Sequence, residues 1–553
     1  MKRWIERFPR LALTLLALLC LIPGTWVLPL MDRDEPRFSR ATVEMNERGN
    51  WVVPYFNNEY RFDKPPLTYW CMKAGVAVFG KSEMGVRLHS VIASWLIALV
   101  LFHMAAGLGA GNARAFMAGA SWLTCLQVLL HGRLAVADML LILWLVTTMF
   151  CLLEIGRRGG RWISMDRWFL GLVASLALGF LAKGPLIFAV PGLALGLAWL
   201  VARRSGQTAP LAAAAANLGV ALVPAMALVS LWGIPALIET HGAYFDVGIG
   251  KHVVERGTVA FNERKSIPGL YYLGVMIPFL LPWTPLIPRT LRDAWRSLSW
   301  EKSLMLGWFA APFLIFSLYS TQLPHYILPG YPALMLLIAL TADGPVETAG
   351  WRGKTWRALS VWLPLGFGML VVAAGQLAKA RGCDASISLA VTCAGLFLLL
   401  LGLAAREVFH GRNHRALACA VAACLVFWPT GEMARRAHLT VRLHQAVGDS
   451  GPGVLRSLDF QEPSLVWYFQ HPWEFSPGKE SAALTLVQTR RWRFDGESFM
   501  ALLKGQPIAP VDDDTISALR KLPPGDGPPR FVQGWNPGTS SWLELAYVRR
   551  SGD

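Results

Sequence analysis

Charged residues are scarce in this 553-residue chain, where they make up 16% of the sequence against about 25% in soluble globular domains. Acidic side chains are the scarcer sign, with 36 Asp and Glu residues against 52 Lys and Arg residues. Hydrophobic residues account for 54% of the chain, and the mean hydropathy is +0.40. This balance excludes an ordinary soluble domain and indicates an integral membrane protein.

Cysteine provides no framework for the fold. The chain has eight cysteines, and their spacing matches neither a disulfide scaffold nor a zinc site. A glycine-rich nucleotide-binding loop is also missing. The basic excess gives a formal net charge of +16, but the basic residues lie in short loops between apolar runs. Membrane topology therefore explains the charge better than nucleic-acid binding does, and no nucleic-acid partner is expected.

Long apolar runs dominate what is present. A run of about 20 apolar residues can cross a bilayer as a helix. The first run, Leu11–Leu30, follows basic residues and lacks a small-residue cleavage site, so we expect an uncleaved helix with a cytoplasmic N-terminus. The pattern predicts a mostly α, polytopic membrane protein with about thirteen transmembrane helices. The further runs begin near Met84, Ala113, Ala137, Trp168, Pro185, Ala212, Gly269, Leu304, Pro324, Ala358, Ile387 and Ala416.

The distribution of basic residues supports this topology. With a cytoplasmic N-terminus, the loops predicted to lie inside contain most of the basic clusters, whereas the outer loops contain fewer basic residues for their length. This asymmetry agrees with the positive-inside rule. An odd number of crossings then places the region after Arg435 on the non-cytoplasmic face. The largest inside clusters lie at 157–167, 289–296, 352–357 and 406–415.

Three regions interrupt the apolar pattern: a first outer loop at 31–83, a second outer loop at 240–267, and the C-terminal region. Residues 1–434, which include both loops, form the predicted transmembrane domain. Residues 435–553 form a predicted soluble α/β domain of ordinary size. Three apolar or alternating runs in this domain predict strands, namely Val454–Leu458, Leu465–Phe469 and Trp542–Val548.

The first outer loop contains two corners in which charged residues precede a helix-starting proline. The first corner has Asp34 and Glu35, and the second has Asp63 and Lys64. Two such corners on one loop indicate a converging polar site. The structural alternatives are acidic capping of an interfacial helix, which would include the amphipathic segment 41–48, and a simple ion pair between Asp63 and Lys64.

Other polar side chains stand at the ends of predicted spans on the same face. Ionisable groups at membrane depth are costly and usually functional. Any one of them could instead be an anchor whose charged end reaches the interface. Their shared side of the membrane favours a common cavity. The residues concerned are Asp138, Lys183, Lys251, His252, Arg256, His325 and Tyr326.

Several motifs resemble those of one family of membrane enzymes. In the first outer loop these are Asp34–Phe38, Trp51–Pro54 and Arg61–Pro66. Further along they are Arg133–Asp138, Lys183–Pro185, His252–Arg256, Leu281–Trp283 and Pro324–Pro329. Together they resemble the GT-C membrane glycosyltransferases, and in particular the group that transfers 4-amino-4-deoxy-L-arabinose to lipid A.

The resemblance implies a GT-C fold and a donor sugar carried on a polyprenyl phosphate such as undecaprenyl phosphate. The sugar would move to lipid A or another envelope glycan. The enzyme would lie among the lipids of the bacterial inner membrane, with its active site and C-terminal domain in the periplasm.

The resemblance also implies roles for individual residues. Asp34 would be the main catalytic carboxylate, with Asp63 beside it. Cationic side chains would hold the departing phosphate. The implied substrate-binding residues are Glu35, Arg37, Lys64, Asp138, Lys183, His252, Arg256 and Tyr326.

The chain departs from the family pattern around the expected sugar pocket. Phe38 and Arg61 stand where the family commonly has Tyr. Asp63 stands in place of a usual Glu, and Gln322 in place of a common Lys. The donor sugar is therefore expected to be 4-amino-4-deoxy-L-arabinose or a related sugar.

Two other classes of protein stay open as alternatives. A transporter would also have many spans with charged residues, but no internal repeat relates the two halves and the charges cluster at one face. A protein O-mannosyltransferase shares the early acidic pair, but its inserted outer-face modules are not evident. No cofactor is firmly expected: Asp34, Asp63 and His252 could gather a divalent cation, but no ligand spacing supports a metal site.

Overall fold

A computed structural model gives the fold of the chain. It describes residues 2–158, 163, 165–248, 250, 270–341, 344–346, 350–448, 453–475, 482–493, 498, 501, 506, 508 and 510–550. Apolar helices make up most of the first 437 residues, because a helix satisfies its own backbone hydrogen bonds within lipid.

The second outer loop divides the helices of the transmembrane region into two groups. Those before the second outer loop are α1 (Lys2–Arg7), α2 (Pro9–Leu21), α3 (Asp34–Arg48), α4 (Leu67–Phe79), α5 (Glu83–Gly107), α6 (Asn112–Thr124), α7 (Leu126–His131), α8 (Asp138–Arg158), α9 (Arg167–Lys183), α10 (Leu186–Ala202), α11 (Ala209–Glu239) and α12 (Ala243–Phe245). Those after it are α13 (Leu270–Phe279), α14 (Ile287–Arg296), α15 (Trp300–Ser317), α16 (Tyr331–Thr341), α17 (Gly350–Arg357), α18 (Leu363–Ala380), α19 (Ala385–Phe409) and α20 (Asn413–Ala437).

The multi-pass architecture is confirmed. A helix begins near each predicted apolar run, but several of these helices are short or broken. The number of thirteen crossings stays a prediction. Within the described residues, eight helices are long and apolar enough to cross a membrane: Glu83–Gly107, Asp138–Arg158, Leu186–Ser205, Ala209–Glu239, Pro324–Thr341, Gly350–Ala380, Ala385–Phe409 and Asn413–Ala437.

The first outer loop folds into two helices and a hairpin. Helix α3 begins at Asp34, earlier than the amphipathic segment predicted at 41–48, and it has acidic residues in its first turn. Strands β1 (Tyr55–Phe56) and β2 (Glu59–Tyr60) pair antiparallel. Their two-residue turn, Asn57 and Asn58, has φ values of 56° and 67°. Positive φ at both positions is the requirement of a type I′ hairpin turn.

The C-terminal region contains a mixed sheet in the strand order β4-β3-β5-β8-β7, with β6 paired to β5. Strand β3 is parallel to both of its neighbours, and the other pairings are antiparallel. The strands are β3 (Leu455–Ser457), β4 (Trp473–Glu474), β5 (Leu484–Arg493), β6 (Asp512–Asp513), β7 (Arg530–Asn536) and β8 (Ser541–Arg549). The helices are α21 (Leu439–Val447), α22 (Pro463–Phe469) and α23 (Thr515–Lys521).

Two of the three predicted strands in this region are present, as β3 and β8. The third prediction is wrong, because Leu465–Phe469 lies in helix α22. Pro463 stands at the first helical position, where its fixed φ favours a helix start. An apolar run this short has no periodicity that separates strand from helix.

Apolar contacts join the C-terminal region to the first outer loop. One cluster of buried side chains includes Phe38 and Val43 of helix α3 together with Trp467 of helix α22. A separate cluster, which includes Leu439 and Leu545, fills the space between α21 and the sheet. Helix α22 therefore packs directly on the loop that contains both charged corners.

Candidate active site

Glu35 is the buried member of the first acidic pair. Its carboxylate accepts hydrogen bonds from Arg87 Nε and Nη2, both at 2.8 Å. It also accepts the backbone N–H groups of Met31 at 2.8 Å and Ala135 at 2.7 Å. Arg87 donates in addition to three backbone carbonyls between residues 25 and 29. The burial of these charges is tolerated because they are fully paired, and the pair fixes the entrance of helix α3 to helix α5.

Asp34 is the exposed member of the same pair, in the first turn of helix α3. Burial lowers the pKa of the Arg37 guanidinium, and the positive charge of Arg61 lowers that pKa further. The negative charges of Asp34 and Asp63 act in the opposite direction on the pKa of Arg37. The carboxylates of the two corners therefore lie near the same arginines.

Asp63 pairs with two positively charged side chains at the second corner. Its Oδ2 accepts a hydrogen bond from Arg61 Nη2 at 2.8 Å, and its Oδ1 accepts one from Lys64 Nζ at 2.9 Å. The Tyr244 hydroxyl donates to the backbone carbonyl of Lys64 at 2.6 Å and so fixes the corner to the short helix α12. The side chains of Asp63 and Lys64 are 17% and 18% exposed, so both keep some access to the cavity beside them.

A second charged cluster forms where four helical segments meet, namely α7, α8, α9 and the 3₁₀ helix Pro324–Gly330. Asp138, at the start of helix α8, accepts a hydrogen bond from Nζ of Lys183, the last residue of α9, at 2.6 Å. His325 Nε2 lies 3.9 Å from the same Asp138 oxygen. The imidazole rings of His325 and His131 are 4.8 Å apart. The position of Asp138 at a helix N-terminus adds favourable backbone charge to its carboxylate.

A cavity of about 540 Å³ is lined by residues of the second corner and of the cluster around Asp138. Most of the remaining wall is apolar and comes from helices α8, α10, α11 and α15. A cavity that combines charged groups with a largely apolar wall suits an amphiphile with a charged head group. Its polar lining includes Asp63, Lys64, Asp138, Lys183, His325 and Tyr326.

The C-terminal region contacts the segment that leads into Asp34. Asp32 Oδ1 accepts the Ser464 N–H at 3.0 Å, and Arg33 Nε lies 3.2 Å from Glu462 Oε2. Burial raises the pKa of the Asp32 carboxyl to about 7, and the negative charge of Glu462 contributes to this rise. The hydrogen bond from Ser464 acts against the rise. Helix α22 thus helps to position the first corner.

The predicted site residues fall into separate groups. Asp34 and Arg37 of the first corner interact electrostatically with Arg61 and Asp63 of the second corner. Glu35 is paired with Arg87 instead. The predicted roles of all these residues stay predictions. His252 and Arg256 lie outside the described residues. Those that line the cavity are Asp63, Lys64, Asp138, Lys183 and Tyr326.

Two buried arginines were missing from the predicted site. Arg87 pairs with Glu35, and the guanidinium of Arg133 lies 3.8 Å from the Phe427 ring and donates to the Pro23 carbonyl at 2.7 Å. The signal for Arg87 was its charge within an otherwise apolar run. Among the described residues, no group of three or more His, Cys, Asp and Glu side chains could hold a metal ion. His252 is not among them, so the cation hypothesis stays a prediction.

Comparisons with known proteins give one family match and several similar relatives. Residues 63–232 match the family described as dolichyl-phosphate-mannose-protein mannosyltransferase. The chain is 31% identical over 325 residues to the undecaprenyl phosphate-alpha-4-amino-4-deoxy-L-arabinose arabinosyl transferase of Edwardsiella ictaluri. This alignment covers 57% of this chain and 56% of that protein. The chain is 30% identical over 347 residues to the protein of the same name from Erwinia tasmaniensis, in an alignment that covers 62% of this chain and 60% of that protein. The matched region thus spans about 56–60% of the length of these relatives.

Solved structures show the fold over nearly the whole chain. ArnT from Cupriavidus metallidurans bound to undecaprenyl phosphate gives a TM-score of 0.68 at 18% identity, covering 97% of both chains. The apo state of the same protein gives a TM-score of 0.67 at 18% identity, covering 91% of this chain and 94% of that one. The chain is therefore a multi-pass membrane protein with the GT-C fold of ArnT, and in sequence it resembles the undecaprenyl phosphate-alpha-4-amino-4-deoxy-L-arabinose arabinosyl transferases.

Proposed function

We propose that the protein is a glycosyltransferase that moves a sugar from a polyprenyl phosphate to an envelope glycan. The donor sugar is 4-amino-4-deoxy-L-arabinose or a related sugar, and the acceptor is lipid A. The observation that carries this proposal is the cavity whose polar lining includes Lys64 and Lys183 and whose remaining wall is largely apolar. Such a cavity accommodates a phosphate head and the first isoprenoid units of its tail. The names of the relatives agree with this assignment.

The proposed reaction exchanges one bond at the anomeric carbon for another. An acceptor oxygen attacks that carbon, the carbon–oxygen bond to the lipid phosphate breaks, and the electron pair stays on the phosphate. Lys64 and Lys183 stabilise the negative charge of the departing phosphate. When the acceptor is a hydroxyl, its proton passes to the exposed carboxylate of Asp34. When the acceptor is a phosphate, the oxygen is already anionic and no base is required.

The two lysines already have carboxylate partners, and this pairing bears on donor binding. Lys64 contacts Asp63 at 2.9 Å, and Lys183 contacts Asp138 at 2.6 Å. A phosphate can share each ammonium group, because an ammonium offers three donors. An amino group on the sugar would then give the two carboxylates a further positive partner. The pairs therefore suit a donor that carries a negative phosphate and a positive sugar.

The direct test uses purified protein in lipid nanodiscs, a synthetic undecaprenyl phosphate sugar and extracted lipid A. We expect mass spectrometry to show lipid A that is heavier by one sugar residue. The match of residues 63–232 to the mannosyltransferase family favours one other acceptor, a serine- or threonine-containing peptide. Sugar transfer to such a peptide and not to lipid A would replace the proposed acceptor. Movement of the donor across the bilayer without any sugar transfer would contradict the enzyme assignment.

The proposed location is the bacterial inner membrane, with the N-terminus in the cytoplasm and the site and C-terminal region in the periplasm. The distribution of arginines supports this orientation. Alkaline phosphatase fused after Asp553 should be active, because that enzyme requires the oxidising periplasm. Activity only from a cytoplasmic reporter at the same position would reverse the orientation.

A further inference from the structure

A row of five aromatic rings runs from the hairpin of the first outer loop to the cavity wall. Tyr55 and Tyr60 pair across strands β1 and β2, with ring centroids 4.7 Å apart. Tyr60 stacks on Phe62 at 5.6 Å, with 25° between the ring planes. Phe62 meets Tyr244 edge-on at 5.4 Å, and Tyr244 meets Trp232 edge-on at 5.2 Å. We refer to these five rings as the aromatic row.

The two ends of the aromatic row lie in different surroundings. Phe62, Tyr244 and Trp232 line the cavity, and Phe62 directly precedes Asp63 in the chain. Tyr60 is 45% exposed. The row therefore connects an accessible surface of the loop to the wall beside the proposed site of transfer.

Polar groups surround the exposed end of the row. The Arg48 guanidinium lies 4.3 Å from the Tyr55 ring centroid and donates a hydrogen bond to Asn58 Oδ1 at 2.6 Å. Asn58 and Glu59 are themselves exposed beside Tyr60. A sugar ring has one apolar face of C–H groups, which the negative face of an aromatic ring attracts, and hydroxyls at its edge that need polar partners. The exposed end offers both features.

The hairpin that presents these rings is fixed at its turn. The backbone N–H groups of Asn57 and Asn58 both donate to the Glu44 carboxylate, at 2.9 and 3.1 Å. The Asn57 side chain exchanges two hydrogen bonds with the backbone of Trp473 in the C-terminal region, at 2.9 and 2.8 Å. A surface fixed before binding loses less entropy when a ligand arrives.

Anchoring at the bilayer surface is the ordinary explanation for exposed aromatic residues in a membrane protein. The chain contains a pair that suits this explanation. Trp26 and Trp428 contact edge-on at 4.7 Å, are 38% and 45% exposed, and do not line the cavity. The aromatic row differs from that pair because polar contacts fix its hairpin and its inner rings border the cavity.

We propose that the exposed end of the aromatic row binds the sugar rings of a saccharide-bearing acceptor, with Tyr60 stacked against one pyranose face. This inference rests on the proposed glycosyl transfer and adds the surface that receives the acceptor. The acceptor sugar lies outside the cavity while the donor lipid occupies it. Its reactive oxygen then approaches from the side of the loop that holds Asp63.

The test uses the full-length protein in nanodiscs and two independent measurements. The first is the KM for lipid A in the transfer assay. The second is saturation-transfer NMR with the water-soluble glucosamine disaccharide of lipid A, which requires no transfer. The variants are Tyr60→Ala, Tyr60→Leu, which keeps apolar volume without a ring, and Tyr60→Trp. Trp26→Ala is the matched control, because Trp26 is a similarly exposed ring away from the cavity.

We expect Tyr60→Ala and Tyr60→Leu to raise the KM for lipid A about ten-fold and to weaken the NMR signal. The donor KM and kcat should not change. Tyr60→Trp should behave like the wild type, and so should Trp26→Ala. If Tyr60→Leu keeps the wild-type KM and NMR signal, the inference is wrong. Equal losses in Tyr60→Leu and Trp26→Ala would identify membrane anchoring instead and would also overturn it.

The two measurements separate this inference from the proposed function. Transfer to lipid A without any dependence on Tyr60 would leave the function standing and reject the aromatic row as the acceptor surface. A disaccharide signal that depends on Tyr60, in a protein without transferase activity, would support the binding surface and reject the proposed reaction.

Discussion

The two corners of the first outer loop share a sequence pattern but face different surroundings. At the first corner, Glu35 points into the protein and receives three hydrogen bonds from distant parts of the chain and one from nearby Met31. At the second corner, both Asp63 and Lys64 line the cavity. The same combination of charge and proline therefore supplies a structural contact at one corner and cavity-facing groups at the other. The partners brought by the rest of the fold decide between these roles.

Glu35→Gln should produce the largest loss of stability. Arg87 would keep its charge in a buried position without a carboxylate, and breaking a buried pair in this way costs about 3–5 kcal/mol. We expect a low yield of folded protein and a lower melting temperature in detergent. Glu432→Gln is the matched control, because the Glu432–Arg436 pair lies on the surface, with side chains 35% and 62% exposed. An equal melting temperature for Glu35→Gln and Glu432→Gln would show that the Glu35–Arg87 pair does not hold the first corner.

Asp34→Asn should remove most transfer while the fold is kept, which would separate Asp34 from its neighbour Glu35. Asn has nearly the same size, but it cannot take a proton from the acceptor or balance positive charge on the sugar. A single electrostatic group of this kind contributes about 10²–10³ in rate. Purified variant should therefore bind donor normally and turn over slowly in the lipid A assay. Normal turnover would move the catalytic role to Asp63, and loss of folding would favour a capping role for Asp34.

Lys64→Ala should weaken donor binding by about ten- to a hundred-fold, since a hydrogen bond to a charged group contributes about 1.5–3 kcal/mol. Folding should be kept because Asp63 retains Arg61 as a partner. Binding can be measured by native mass spectrometry with undecaprenyl phosphate. Lys81→Ala changes an exposed lysine of the same loop and should bind like the wild type. Unchanged affinity in Lys64→Ala would remove Lys64 from the phosphate site.

Asp32→Asn should have the smallest effect, and that effect should depend on pH. The folded-state pKa of Asp32 is raised from 3.8 to about 7, mainly by burial and secondly by Glu462. The folded state therefore holds a proton that the unfolded state releases, so the stability contributed by this group falls as pH rises from about 4 to 7. The wild type should lose about 4 °C of melting temperature relative to Asp32→Asn over this window. Parallel plots of melting temperature against pH for the wild type and Asp32→Asn would contradict this account.

Sequence patterns located much of the fold and part of the candidate site. Each apolar run corresponds to a helix, because the requirement for internal backbone hydrogen bonds in lipid leaves few alternatives. Asp63 and Lys64 were selected as a charged corner before a proline, and Asp138, Lys183 and Tyr326 as polar groups at span ends. All five line the cavity. The strand predicted at Leu465–Phe469 failed because a short apolar run is compatible with a helix or a strand.

Hydrophobicity and charge along the chain by themselves determined that this protein crosses the membrane many times, since both are local properties that a bilayer selects directly. Only the tertiary structure decided which of two adjacent acids is buried, because Arg87 reaches Glu35 and not Asp34 from a different helix. Only the tertiary structure placed Tyr244 against Phe62 and Trp473 against Asn57. These contacts join segments far apart in the chain, and no local pattern encodes which distant partner will arrive.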